Sequence, residues 1–244
     1  MSLLEVRSLE ARHGLLPAVR DIDLSVDEGE RVALVGANGA GKTTLLRTIA
    51  GVHPAASGRI VFDGKDVTAL PAHRRCAMGI ALTPEGRRLF VEMTVRENLL
   101  VARSSGRAGP WNLEAVLQAF PQLEPKLGAR AGDLSGGQQQ AVAIARTLMT
   151  NPRIVLLDEV SLGLSPIAVQ GLYDSLRVLL EMGTTVVLVE QDLQRTLRVA
   201  DRIVCMLEGA VVAVGRAAEM TREQVMGHYF GSRSSVQHPA EARP

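Results

Sequence analysis

One stretch constrains this chain more than any other: Gly36 to Thr44, GANGAGKTT, set directly after the apolar run RVALVG and opening into TTLLRTIAG. An apolar run that stops at a glycine-rich turn and passes into a helix is how a buried parallel strand enters a βα unit. The stretch fits G-x-x-x-x-G-K-[ST] through Gly36, Gly41, Lys42 and Thr43. Glycines let the backbone turn so tightly that successive N–H groups face one point, and the start of a helix adds positive dipole there, so a polyphosphate is expected. On this reading Gly36, Ala37, Asn38, Gly39, Ala40, Gly41, Lys42, Thr43 and Thr44 form the cradle of a nucleoside triphosphate. Lys42 reaches the β and γ phosphates, and Thr43 offers its hydroxyl to Mg²⁺.

The same grammar returns later. IVLLDE from Ile154 and TTVVLVE from Thr184 are continuous apolar runs separated by the helical PIAVQGLYDSLRVLLEMG, with Ser165 as N-cap, Pro166 at the first helical position and Gly183 closing it. The first of these strands delivers Asp158 at its C-terminal edge, where parallel sheets place ligands, so Asp158 is expected on Mg²⁺. Glu159 follows, placed to orient a water attacking the γ-phosphate or to accept its proton. Nearer the N-terminus, LLEVRSL and VRDIDLSV alternate as half-buried antiparallel pairs, and GRIVFDG adds another strand. From about 94 to 150 helical periodicity replaces strand signals. ADRIVCML and GAVVAVG predict a hairpin around Glu208 and Gly209, and a short helix runs from Thr221 to near Gly231. The fold class expected is α/β: a parallel-sheet core, an antiparallel β subdomain at the N-terminus and an inserted α-helical subdomain, all within residues 1–231. The segment 232–244 has too little apolar content to pack and is expected to be disordered.

Composition excludes several classes. A chain of 244 residues, 46% hydrophobic, buries a full core. A net charge of +1 leaves no electrostatic footprint for nucleic acid. Cys76 and Cys205 lie far apart without metal-type spacing and read as reduced thiols. The N-terminus carries Glu5, Arg7 and Glu10 where a secretory signal needs an apolar stretch, and no segment has membrane-spanning length.

Between the phosphate loop and IVLLDE lies LSGGQQQ, Leu134 to Gln140. Ser135 with Gln138 three residues on forms a capping box, so a helix begins there with open backbone N–H groups and suits an anion. Gly136 and Gly137 lower helix propensity for no packing gain, which favours a ligand-facing role over an ordinary capped helix. In order and spacing, the loop, LSGGQ and LLDE together resemble the ABC ATPase family over about Leu3 to Gly231. The resemblance implies a P-loop NTPase core that hydrolyses ATP with Mg²⁺. It also implies a head-to-tail dimer with a second ATPase subunit, in which Leu134, Ser135, Gly136, Gly137 and Gln138 face the partner's ATP.

Finer wording, PEGRRLF from Pro84, TVRENL from Thr94, SLGLSP from Ser161, VEQD from Val189 and YFG from Tyr229, is similar to importer ATPases for branched-chain amino acids. Urea-importer relatives commonly carry Gln where Glu85 stands, and a urea, amide or other amino acid importer is the nearest alternative. The resemblance implies permease subunits as partners, a periplasmic solute-binding protein acting through them, and a peripheral place on the cytoplasmic face of a bacterial inner membrane. Glu85 occupies the place of the usual Gln near Mg²⁺, Gln191 that of the switch His that contacts the γ-phosphate, His13 that of a Tyr against adenine, and Val160 that of a Pro. An amide donates a hydrogen bond but carries no imidazolium charge, so a weakly active regulatory subunit is a further alternative. Trp111 and Phe120 read as packing, and Arg87 with Arg88 as a solvated pair; the stretch Glu85 to Glu97 is where the resemblance places a permease helix.

Overall fold

The computed structural model describes residues 2–105, 107–190 and 192–229. Its strands are β1 (Ser2–His13), β2 (Leu16–Asp27), β3 (Arg31–Val35), β4 (Ser57–Phe62), β5 (Lys65–Asp66), β6 (Ile80–Thr83), β7 (Ile154–Asp158), β8 (Thr185–Val189), β9 (Arg202–Leu207) and β10 (Ala210–Arg216). Its helices are α1 (Lys42–Ile49), α2 (Ala72–Met78), α3 (Val95–Val101), α4 (Leu113–Ala119), α5 (Gly136–Leu148), α6 (Pro166–Glu181), α7 (Leu193–Val199) and α8 (Arg222–Tyr229).

The alternation of β1 and β2 breaks inside each strand, where buried Val6 is followed by buried Leu9 and buried Val19 by buried Ile22. Ser8 (φ 43°) and Asp21 (φ 46°) bulge at those points, and the register shifts there. The bulges absorb the extra residue and keep the apolar side chains on one face. β2, β1, β4 and β5 form an antiparallel sheet in that order.

The second sheet has the order β10-β9-β3-β8-β7-β6. It is parallel from β9 to β6, with β10 antiparallel on its edge. Successive side chains point to opposite faces of a strand, which explains why β7 and β8 are apolar throughout. Val32, Leu34, Leu156 and Val187 pack toward β1, β2 and α1, while Ala33, Val155, Leu157 and Leu188 pack with Leu148, Leu172 and Leu176 of the helices on the other side. The expected α/β architecture is observed.

Between β6 and β7 the chain is built of α3, α4, α5 and short 3-10 turns. Trp111 and Phe120 are buried in the core there, as packing residues. The β9–β10 hairpin turns on Glu208 (φ 48°) and Gly209 (φ 86°), a pair of left-handed residues whose twist matches flanking strands. This turn does more than reverse the chain: Gly209 donates its N–H to Ala40 O (3.1 Å) and accepts from Arg20 N–H (2.7 Å), tying the phosphate loop to β2. Among the described residues no helix is long and apolar enough to cross a membrane. The segment expected to be disordered, 232–244, lies outside the described residues.

Candidate nucleotide site

β3 ends at Val35 and the loop leads into α1, whose N-cap is Gly41 with no side-chain cap. An uncapped helix start leaves its first amides for a ligand. Two glycines of the loop are dictated by close approach: a Cβ at Gly36 would lie 2.2 Å from Met206 O, and one at Gly41, 2.2 Å from Ala18 O. The loop is thus wedged between the ends of β9 and β2, which fixes the cradle before any ligand arrives.

Lys42 is buried, and its ammonium donates to Gly36 O (2.7 Å) and Ala37 O (3.0 Å). Burial lowers its pKa, while the charges of Glu159 and Asp158 oppose that. Thr43 Oγ1 donates to Asp158 Oδ1 at 2.8 Å, although the two are far apart in sequence, because β7 lies in the same parallel sheet as β3, one strand beyond β8, and ends at Asp158. Asp158 is fully buried and its Oδ2 has no hydrogen-bond partner. Burial raises its pKa; the Thr43 bond opposes this, and Glu159 and Glu85 add to it. An orphaned carboxylate oxygen beside a phosphate loop suits a hard, oxygen-seeking cation.

Glu159 has a left-handed backbone (φ 47°) and donates its N–H to Val189 O at 3.0 Å. With Glu85, His13 and residues 38–44 it lines a cavity of about 530 Å³. His13 Nε2 lies 3.1 Å from Thr44 Oγ1, and its ring centroid is 4.7 Å from that of His53. The structure therefore gathers His13, the loop, Glu85, Asp158 and Glu159 at one place. Gln191 lies outside the described residues.

The LSGGQ segment stands elsewhere. Ser135 caps α5 and the capping box is complete, with Ser135 N–H donating to Gln138 Oε1 (3.0 Å) and Gln138 N–H to Ser135 Oγ (3.4 Å). Ser135, Gly137 and Gln138 line a cavity of about 690 Å³ that shares no residue with the phosphate-loop cavity. One part of the expectation is corrected: Gly137 does serve packing, whereas the neighbour of Gly136 is the movable end of an arginine. A Cβ at Gly137 would lie 2.6 Å from Ala168 Cβ, and one at Gly136 2.9 Å from Arg87 Nη2.

The family model described as ABC transporter matches residues 19–161. The chain belongs to the ABC transporter ATP-binding family. The branched-chain amino acid transport ATP-binding protein BraG of Pseudomonas aeruginosa is 40% identical, over 94% of this chain and 100% of its own. The Nod factor export ATP-binding protein I of Rhizobium meliloti is 37% identical over 91% of this chain and 67% of its own. Among solved structures, the dimeric post-hydrolysis state of the ATP-binding cassette MJ0796, bound to ADP and Pi, superposes with a TM-score of 0.77 at 26% identity, covering 88% of this chain and 98% of that one.

This ABC ATPase carries a further surface that sequence reasoning described only in part. Arg87 is not freely solvated: its Nη1 donates to Gln139 Oε1 (2.8 Å). Arg146, which no sequence signal marked, donates to Arg88 O (2.7 Å) and Arg87 O (3.3 Å), and its guanidinium lies 5.6 Å from the Phe90 ring centroid. Burial lowers its pKa. Arg146, Arg88 and the exposed Phe90 line a groove of about 700 Å³ with Val52, Cys76 and Val101. Asn98 fixes the loop above it, accepting from Phe90 N–H (3.0 Å) and donating to Phe90 O (2.9 Å).

Proposed function

We propose that this ABC ATPase powers uptake of branched-chain amino acids, held by permease subunits on the cytoplasmic face of a bacterial inner membrane. The observation that carries the hydrolytic part is the bond from Thr43 to Asp158, with the second oxygen of Asp158 orphaned below the phosphate loop and Glu159 at the rim of the same cavity. Thr43 and Asp158, with Glu85 across the cavity, would hold Mg²⁺, whose charge would offset that of the β and γ phosphates. Lys42 turns its ammonium from the loop carbonyls to the triphosphate. Glu159 orients the attacking water and takes its proton. Gln191 donates an amide hydrogen bond to the γ-phosphate, and His13 offers its ring to the base.

The separation of the two cavities favours a head-to-tail dimer, in which Leu134 to Gln138 complete the partner's nucleotide site. The groove around Phe90 suits an amphipathic helix of the permease, with apolar contact along its floor and Arg88 and Arg146 at its edge. A periplasmic solute-binding protein acts through the permeases. The cargo reading rests on the likeness to BraG and on Glu85, where urea importers carry Gln.

The test is turnover in the complete transporter in proteoliposomes. Lys42→Ala will lose ATP binding, and Glu159→Gln will bind ATP while turning over at about 1% of the parent or less, as for removal of a general base. Leucine, isoleucine or valine with the solute-binding protein will stimulate ATP hydrolysis. Full turnover in Glu159→Gln overturns the catalytic assignment, and stimulation by urea but by none of the three amino acids overturns the cargo.

A further inference from the structure

Glu190 follows β8 and immediately precedes Gln191, yet only 2% of its surface is exposed. Burying a carboxylate is costly unless its oxygens are well supplied with donors. Here both are supplied by one residue: Ser161 N–H donates to Oε1 (3.2 Å) and Ser161 Oγ donates to Oε2 (2.5 Å). Ser161 lies two residues beyond Glu159. The turn between them is hung on the end of β8 by those two bonds and by Glu159 N–H to Val189 O (3.0 Å), with Val160 buried in the core between them.

That turn contains a strained residue. Glu159 has φ 47°, a left-handed conformation that costs a non-glycine residue about 1–3 kcal/mol and persists only where its surroundings over-determine it. A neutral side chain at 190 would pack as well, but it could not accept two hydrogen bonds of the charged, stronger kind from the turn. Behind Glu190 the groups are ordered too. Tyr173 of α6 is held beside it, with its phenol pushed well above its ordinary pKa by burial and by the charges of Glu190 and Asp192. The Arg195 guanidinium lies 5.7 Å from the Tyr173 ring centroid and is paired with Asp192 at 3.0 Å.

From this geometry we infer that Glu190 is a positioning residue for hydrolysis: acting through Ser161, its buried carboxylate holds the turn after β7 so that Glu159 stays aimed into the nucleotide cavity. The inference rests on reading Glu159 as the hydrolytic carboxylate. It adds a residue 31 positions away in sequence on which that aim depends.

The experiment compares Glu190→Gln, Ser161→Ala, the pair together and Ser161→Thr, with Glu159→Gln alongside, in the full chain assembled with its permeases. Glu190→Gln and Ser161→Ala will each lower kcat on the order of tenfold to a hundredfold, the range for losing hydrogen bonds to a charged group, while ATP affinity stays within about threefold. The double variant will be no slower than the worse single, because both remove one clamp. Ser161→Thr, which keeps the hydroxyl, will retain most of the rate. Amide hydrogen exchange with ATP bound will accelerate about tenfold or more across 159–164 in Glu190→Gln. A Glu190→Gln protein with lowered Tm but parent kcat and parent exchange overturns the inference, as does a double variant whose loss is the product of the singles. If Glu190→Gln does not fold, Ser161→Ala and Ser161→Thr decide: equal rates for these two overturn it. Parent turnover in Glu159→Gln means that the reading of the catalytic carboxylate has failed; loss there with parent rates in the Glu190 and Ser161 variants means that only the clamp has failed.

Discussion

Replacing Gly137 by Ala separates two explanations of the glycine in the helix-capping motif. Helix propensity alone predicts a gain of up to about 1 kcal/mol for the alanine. Position 137 is in the first turn of α5, where backbone amides lack intrahelical partners, so the gain there is smaller. Against it stands a Cβ only 2.6 Å from Ala168 Cβ, where carbon contacts prefer about 3.5–4.0 Å. Pushing α5 and the start of α6 apart by that amount costs about 1–3 kcal/mol. The net result is a loss of about 1–2 kcal/mol, which for a chain of this size lowers Tm by roughly 2–8 °C. The reciprocal swap, Gly137→Ala with Ala168→Gly, leaves a single methyl group across the contact, as in the parent. Its Tm will return to within about 2 °C, giving a coupling energy of about 1–2 kcal/mol between the two sites. Calorimetry on the nucleotide-free protein at one concentration measures this. A Gly137→Ala variant more stable than the parent, or additive effects of the two substitutions, would refute the packing argument. Turnover of the stability-restored swap in the permease complex then tests the proposed dimer: if the start of α5 completes the partner's nucleotide site, turnover will stay low, because the methyl at 137 still blocks that helix end.

Two more outcomes follow from the site. Burial raises the Asp158 carboxyl pKa, so its contribution to stability is fully present below the ordinary carboxylate value and is lost as pH rises through the raised folded value. Asp158→Asn will therefore make the nucleotide-free protein more stable than the parent at neutral pH by about 1–3 kcal/mol, with the gap closing toward acid, and will abolish the extra stability given by Mg²⁺ with ATP; Tm against pH, with and without nucleotide, checks both signs. His13→Tyr will tighten ATP about twofold to tenfold, because a larger aromatic face adds about 0.5–1.5 kcal/mol of stacking, and titration of a fluorescent ATP analogue measures it.

The parts of this fold that are local in sequence could be read from it. The phosphate loop, the Ser135–Gln138 capping box, the Ser165 cap of α6 and the Glu208–Gly209 turn each depend on residues within a few positions of one another. Four short elements were not legible: α2, β5, β6 and α7 are too brief for their periodicity to stand out. The strand order, with β3 between β8 and β9, depends on pairings across most of the chain and leaves no local mark. The same cause explains the misreading of Gly137: its contact is with Ala168, and only the assembled packing shows it. Ser161 and Glu190 escaped for the same reason, since a serine in a loop and an acid after a strand are unremarkable until the fold buries one against the other.

The segment after β6 joins the groove around Phe90 to the nucleotide cavity. Gly86, Arg87 and Arg88 are consecutive left-handed residues, with φ of 79°, 64° and 50°, a costly arrangement for the two arginines. Its anchors all lie on helices: Asn98 of α3 holds Phe90, Gln139 of α5 accepts from Arg87, and Arg146 of α5 holds the carbonyls of Arg87 and Arg88. The piece from Arg87 to Phe90 is therefore anchored to α3 and α5, whereas Glu85, just after β6, lines the nucleotide cavity with residues of the phosphate loop and with Glu159. The change of anchorage falls between Thr83 and Arg87. In the proposed dimer, a permease helix seated on Phe90 would bear on α5, whose start would complete the partner's nucleotide site, and through the same segment on Glu85 at this subunit's own. On that proposal the lever depends on how a permease helix fits the groove and not on the cargo.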